Sequence, residues 1–446
     1  MGGSYLMAIN IEEFRVPITV EDARDALQHQ TDSFGVFFDV DRCYEIAGLL
    51  QLNMVDLRRK AREISFSNVD IGDKASVIKT LIRMGVNPAE FSVHGKNDTL
   101  DANVRQSILS NPNYGEAIHA VVEMQGEFAS SKRNKGNIIN YALLPQSLAH
   151  SKYNRRMSVG HPLWVILSTS RLAAKDPGVQ GIPRTCSDII TEPKGYTLVR
   201  CDSSQIEPRI NFSSYLRDIL IMNLIMFYND AYFGLMHFCL MSEAEEQACR
   251  LDFEKNFKPI EITEEMSNMR QNIKRLTNAG SYGSSNLGAI NPQLSKAYEL
   301  KIVKHPARLA LERKVTQDVN RGVTTFYSMF GTPITPDSTE RYDKGDSSWQ
   351  DHLIRCGINN PVQTTASDLM LFSLHEALNI IREAKDTHIC YYKHDEACFY
   401  VSDEDMANGI GDKLADVTAY NVKGWIPIGS ECEIGVKKGS YPSYIL

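Results

Sequence analysis

Two runs of β-forming residues that end in carboxylates place the first constraint on the fold. The segment YTLVRCD (196–202) is rich in β-branched and aromatic residues and runs straight into the polar turn SSQIE. Farther on, THICYYK and ACFYV are two strand-like runs separated only by His394, Asp395 and Glu396, which predicts a hairpin with acids at its tip. Taken singly, an acid at a turn is ordinary, because Asp suits turns and solvent. Asp202 and the Asp395-Glu396 pair, about 190 residues apart, are together what a two-metal site for phosphoryl transfer needs. Hard Mg²⁺ prefers carboxylate oxygens, and two ions roughly 3.5–4 Å apart can activate an attacking oxygen and steady a leaving one.

The chain has 446 residues, room for about three domains and a wide cleft. No uninterrupted apolar run approaches the ~20 residues needed to cross a bilayer, which excludes membrane spanning. The start, MGGSYLMAINIEEF, has no basic region followed by an apolar one, so the protein reads as cytoplasmic. The nine cysteines show no CxxC pair or His-Cys ligand spacing and read as reduced, mostly buried small residues without a structural zinc. The net charge of −7 alone argues against a phosphate-binding protein, but its distribution does not. Residues 131–209 carry 12 Lys plus Arg against 5 Asp plus Glu, leaving −14 for the remainder. Such a stretch is either a solvated charged face or a nucleic-acid track, and charge does not decide between them.

No short repeat, low-complexity tract or long Gly/Ser linker occurs, so the domains must be layered within a continuous fold. Val40 to Arg62 and the 80s have apolar residues at helical spacing. Glu116 to Ala129 predicts another amphipathic helix, followed by SSKRNKGN as a basic, polar loop. From Asn211 to about Lys304 the chain reads as helical again.

Arg270, Lys274, Asn278 and Tyr282 recur at steps of four, along one stripe of a helix about 18 Å long. Cations at its N-terminal end could hold a triphosphate while Tyr282 meets a base or sugar; the plainer alternative is an exposed basic face. In STSRLAAKDPGVQGIPR (168–184), Arg171, Gln180 and Arg184 could reach grooves or phosphates along a path stiffened by Pro177 and Pro183. Arg355, Asn359 and Gln363 also step by four. Asn360-Pro361 reads as an N-cap and first helical position, where amide side chains could bond base edges or simply cap the helix.

In this order the segments resemble family A DNA polymerases, the group that includes bacterial DNA polymerase I and many phage enzymes. DSSQIEPR (202–209) is similar to motif A, RQNIKRLTNAGSYG (270–283) to motif B and KHDEACF (393–399) to motif C. STSRLAAKDPGVQGIPR and INNPVQTTASD resemble the linking motifs, and GVFFDVDR (35–42) resembles the opening of the polymerase region. The resemblance implies an α+β right-hand polymerase fold with an antiparallel-sheet palm and helical fingers and thumb. The thumb would occupy 35–150, the palm 151–212 and 335–446, and the fingers 213–334, after a short N-terminal extension of 1–34.

The resemblance further implies template-directed extension of a primer 3′-hydroxyl with dNTPs, releasing pyrophosphate. Asp202 and Asp395 would hold two Mg²⁺ ions, with Glu396 a supporting catalytic acid. Arg270 and Lys274 would bind the triphosphate, Lys274 also protonating the leaving group. Tyr282, Asn278 and Gln205 would complete the nucleotide site, and Glu207 would be the steric gate against a ribose 2′-OH. Arg171, Gln180, Arg355, Asn359, Gln363 and His394 would touch the primer-template DNA. Tyr232 stands where the family often has a phosphate-contacting His.

The chain departs from the family at Asn278 and Ala279, where an aromatic residue and Gly are usual, and at Ser203 and Pro208. KRLTNAGSYGS also leans toward motif B of single-subunit phage-type RNA polymerases, but those have a small residue where Glu207 stands. A noncatalytic DNA-binding subunit is a third reading, opposed by the joint presence of Asp202, Asp395, Arg270 and Lys274. The 34 residues before the polymerase region are too few for a 3′→5′ exonuclease, and Asp39 and Asp41 fall in the thumb entry. The expectation is therefore a phage-type enzyme without intrinsic proofreading, in the host cytoplasm if phage-encoded, with a separate exonuclease or processivity factor as further partners.

Overall fold

A computed structural model of the chain describes residues 9–12, 15–91, 100–149, 151–167, 169–281, 291–336 and 347–435. They form two compact units, one gathering the chain up to 35 with 162–176 and 195–435, the other 36–161 with 177–194. The first unit begins with β1 (Ile9–Ile11) and α1 (Val20–Ser33). The second unit holds β2 (Val36–Asp39), α2 (Val40–Ser65), α3 (Lys74–Arg83), α4 (Ala102–Ser110), α5 (Glu116–Ala142) and β3 (Met157–Gly160). The chain then re-enters the first unit with β4 (Leu163–Ile166), β5 (Leu172–Lys175) and β6 (Tyr196–Ser203). Helices α6 (Ile206–Ile210), α7 (Ile219–Tyr228), α8 (Ala231–Leu240), α9 (Glu243–Leu251), α10 (Phe253–Asn256), α11 (Glu264–Ser281), α12 (Pro292–Tyr298) and α13 (Pro306–Asn320) follow. After β7 (Phe326–Tyr327) and β8 (Pro333–Ile334) come the long α14 (Ser347–Glu383) and the hairpin β9 (Thr387–Lys393) and β10 (Glu396–Ser402). Helices α15 (Asp403–Ala407) and α16 (Ile410–Ala415) and strands β11 (Tyr420–Val422) and β12 (Ser430–Ile434) complete the fold.

In the second unit the polar segment SSKRNKGN is helical, not a loop, because buried Phe128 before it and buried Ile138 and Tyr141 after it hold one face of α5, with only Ser131 buried between them. Val121, Val122, Phe128, Ile138, Tyr141 and Ala142 are buried on one side, while Lys132 and Arg133 are exposed on the other. Asn53 of α2 donates to Glu127 at 2.9 Å and Lys135 donates to Gln51 at 2.8 Å, joining the two long helices. Helix α2 starts where Asp39 Oδ1 accepts the Arg42 N–H at 2.8 Å.

The first unit is organised on a four-stranded antiparallel sheet in the order β12-β6-β10-β9. Its central strand β6 is buried on both faces from Leu198 to Cys201, so β-branched and aromatic neighbours are favoured there. A separate apolar cluster joins α7, α8, α11 and α12 through Leu224, Ile225, Leu235, Ile273, Leu276 and Tyr298. Gly234 permits the α7–α8 approach: a Cβ there would lie 2.9 Å from the Ile225 backbone.

Helix α14 corrects the expected break at Asn360-Pro361. Pro361 lies inside it, where its missing N–H and ring cost roughly 3 kcal/mol in an isolated helix. Packing on both sides opposes that cost. Leu353 joins Val315, Phe326 and Ile334 before the proline, and Ala366 and Leu369 join Ile206 and Ile210 after it. Among the described residues, no helix is long and apolar enough to cross a membrane.

Candidate functional site

The turn of the β9–β10 hairpin consists of His394 and Asp395, since Lys393 and Glu396 are paired across it. His394 adopts φ 45°, an uncommon value for a residue with a side chain but one suited to a two-residue hairpin. The hairpin tip is stitched to β6, because the Ser203 N–H donates to the Asp395 carbonyl at 2.7 Å. This hydrogen-bonded pair makes the adjacent pair, Asp202 and Glu396, a non-hydrogen-bonded one, the geometry in which side chains stand closest. The two distant acidic turns are therefore neighbours at one end of the sheet. On the other flank, Asp202 is paired with Glu431 of β12, an acid that sequence reasoning missed. Glu431 accepts from Ser204 at 2.7 Å, and the Tyr391 hydroxyl donates to Glu396.

After β6 the chain turns through Gln205, at φ 53°, into α6, which carries Glu207 in its first turn. Arg171, beside β5, is ion-paired with Glu207. His394 is held below the usual imidazole pKa by burial and by the cations Arg171 and Lys393, with Glu207 opposing. Arg171, Glu207 and His394 thus share one neighbourhood.

Helix α11 brings up the cations. Arg270 is bound to Asp230 by two donors and lies 5.3 Å from the ring centroid of Tyr232, while Lys274 Nζ lies 5.7 Å from the same ring. Burial, with Glu207, Asp230 and Asp395 adding negative charge, pushes the Tyr232 phenol up to about 12 against the pull of Arg270. That ring consequently marks where the β9–β10 tip, the first turn of α6 and the cationic face of α11 meet.

Gln205 has both ends of its amide engaged: Nε2 donates to Asp230 at 2.8 Å and Oε1 accepts from the Ala231 N–H. It therefore ties the β6 turn to the start of α8. Glu207, Asn278, Asn359 and Gln363 line a single small cavity of about 40 Å³ together with Thr277, Arg308 and Val362. Arg355 is exposed one turn before Asn359 on α14. Gln180 belongs to the second unit and Tyr282 lies outside the described residues.

The basic stretch 131–209 is not a uniform solvent-facing track. Arg200 and Arg209 are buried, and Arg209 donates to the carbonyls of Pro427 and Asn229. In the second unit Arg155 pairs with Asp39 and Arg156 with Asp41, so that D-x-D is held in ion pairs.

Among the described residues, no three His, Cys, Asp or Glu side chains are gathered closely enough to hold a metal by themselves. Mg²⁺ commonly needs only one or two protein carboxylates, the rest of its octahedron being substrate phosphate and water. Asp202 lies near the end of β6, and Asp395 lies in the hairpin turn bonded to the next residue, Ser203.

No protein-family model matches the chain, and no curated protein does either. A solved structure, the POL domain of Pol1 from M. smegmatis in complex with DNA primer-template and dNTP, is similar to it with a TM-score of 0.70. The match covers 94% of this chain and 70% of that one at 17% sequence identity. The chain thus shares the fold of a DNA polymerase I polymerase domain.

Proposed function

We propose that the protein is a template-directed DNA polymerase that extends a primer 3′-hydroxyl with dNTPs. The observation that carries this reading is the meeting of acids and cations around Tyr232: Asp395 beside the end of β6, and Arg270 and Lys274 on α11. The resemblance of the three motifs to family A polymerases and the shared fold support it.

In this reading the primer oxygen attacks the α-phosphorus, the bond to the β-phosphate breaks, and pyrophosphate leaves. Asp202 and Asp395 would hold two Mg²⁺ ions, which when bound lower the charge on the attacking and leaving oxygens. Arg270 and Lys274 would orient the triphosphate and offset its charge, with Lys274 giving a proton to the departing oxygen. Glu207 would occupy the space that a ribose 2′-OH needs, while Asn278, Gln363 and Asn359 would shape the same cavity. Arg171, His394 and Arg355 would contact the primer-template end, together with Gln180. Tyr282 would line the nucleotide pocket, as the motif resemblance implies.

The labels follow the resemblance: thumb 35–150, palm 151–212 with 335–446, fingers 213–334. Primer degradation is not part of this reading. The deciding experiment is extension of one labelled primer with matched dNTP and rNTP sets in Mg²⁺. Template-dependent extension by dNTPs alone is expected. Extension by rNTPs would favour the RNA polymerase-like reading, and binding without extension would leave a noncatalytic DNA-binding subunit.

A further inference from the structure

We propose that Cys201 and Cys432 form a dithiol that a peroxide oxidises to a disulfide, stapling the edge strand β12 to β6. The two residues are direct partners in the antiparallel register. Hydrogen bonds from Ser204 N–H to the Gly429 carbonyl and from Gly435 N–H to the Leu198 carbonyl, both 2.8 Å, fix the alternation along this ladder. Counting from either bond puts 202 opposite 431 at a hydrogen-bonded position and Cys201 opposite Cys432 at a non-hydrogen-bonded one. Such positions bring Cα atoms to about 4.5 Å, inside the roughly 4.4–6.8 Å window that a disulfide spans. The Cys201 thiol now donates to the Leu414 carbonyl at 3.0 Å, a bond it gives up on oxidation.

Access distinguishes this pair from the other one in the sheet. Cys432 is exposed on the edge strand while Cys201 is fully buried behind it. Cys390 and Cys398, on the neighbouring strands β9 and β10, are both buried. Oxidant therefore reaches Cys432 first. Its sulfur attacks a peroxide oxygen, the O–O bond breaks, one water leaves and Cys432 carries a sulfenic acid. The Cys201 sulfur then attacks that sulfur, the S–O bond breaks and a second water leaves. Two thiols are oxidised by two electrons and the peroxide is reduced to two waters. The new bond would lock β12 in register beside Asp202, which follows Cys201 and faces Glu431.

The test is hydrogen peroxide treatment of the unsubstituted protein, alkylation of remaining thiols and peptide mapping with and without a reductant. A peptide linking 201 to 432, lighter by two hydrogens and lost on reduction, is expected, together with loss of Cys432 alkylation while Cys390 and Cys398 stay unlinked. The Cys432→Ser variant should give no such peptide. The protection of Cys432 in the unsubstituted protein reads the same event without depending on that variant's folding. Recovery of Cys432 as a higher oxide or an intermolecular link, or prior linkage of 390 to 398, would overturn the proposal.

Discussion

Asp230 Oδ2 receives Arg270 through Nη2 at 2.6 Å and Nε at 3.0 Å, while Asp230 Oδ1 caps α8 by accepting the Phe233 N–H at 2.8 Å. Both side chains of the ion pair are about four-fifths buried. A triphosphate that uses Arg270 must therefore compete with a carboxylate already in place.

The Asp230→Asn variant separates the two tasks of that carboxylate. The amide keeps an oxygen for the α8 cap but removes the charge facing Arg270. Nucleotide Kd, measured at equilibrium with primer-template present, is expected to fall by roughly 3–10-fold, the scale of a partly buried ion pair. Weaker binding would mean instead that Asp230 holds Arg270 in its productive pose.

Asp202→Ala and Asp395→Ala should each reduce primer extension by roughly three orders of magnitude or more, because each removes a carboxylate from the paired acidic turns. DNA affinity by gel shift should stay within about twofold, since neither acid can attract phosphate. Extension at the unsubstituted rate by either variant would remove that residue from the metal assignment.

How much of this was legible beforehand follows from which interactions are local. Strand β6 and the β9–β10 hairpin show in the sequence because side-chain type and turn chemistry act within a few residues. The stripe of Arg270, Lys274 and Asn278 shows because helical periodicity is local as well. Asp230 and Glu431 were invisible: each matters through a partner 40 or more residues away, Arg270 in one case and Asp202 in the other. The same reason explains the two misread segments. SSKRNKGN and Asn360-Pro361 carry local signals for a loop and a helix start, and tertiary burial of Ile138, Tyr141, Leu353 and Leu369 overrides them. The bonds of Gln205 to Asp230 and Ala231 were equally out of reach, because both partners lie 25 or more residues away in sequence.

Glu207 allows size and charge to be tested apart, because it is ion-paired with Arg171. Glu207→Ala should raise the ratio of ribonucleotide to deoxyribonucleotide incorporation by about tenfold or more, if the side chain excludes a 2′-OH by bulk. Glu207→Gln keeps the bulk and loses the ion pair, so its ratio should stay close to the original. Equal ratios in all three proteins would take Glu207 out of sugar selection. A Gln variant as permissive as Ala would assign the effect to the Arg171 pair.

Asp368 provides a pH signature of the fold itself. It is fully buried on α14 and accepts the Ser328 hydroxyl at 2.5 Å and the Thr332 hydroxyl at 2.8 Å, anchoring the loop between β7 and β8. Burial pushes its carboxyl up from 3.8 to about 6, with the two hydroxyls pulling the other way. A raised carboxyl binds its proton more tightly in the folded chain than in the unfolded one. Its contribution is thus fully present below the unfolded value of 3.8 and is lost as pH rises through about 6. The shift corresponds to roughly 3 kcal/mol at most. Asp368→Asn keeps a neutral acceptor and cannot ionise, so the unsubstituted protein's stability relative to the variant should decline as pH rises across this window. Urea unfolding at closely spaced pH values measures that difference directly and cancels the contributions of the other carboxylates. A difference that does not change with pH would show that Asp368 ionises as readily in the folded chain as in the unfolded one.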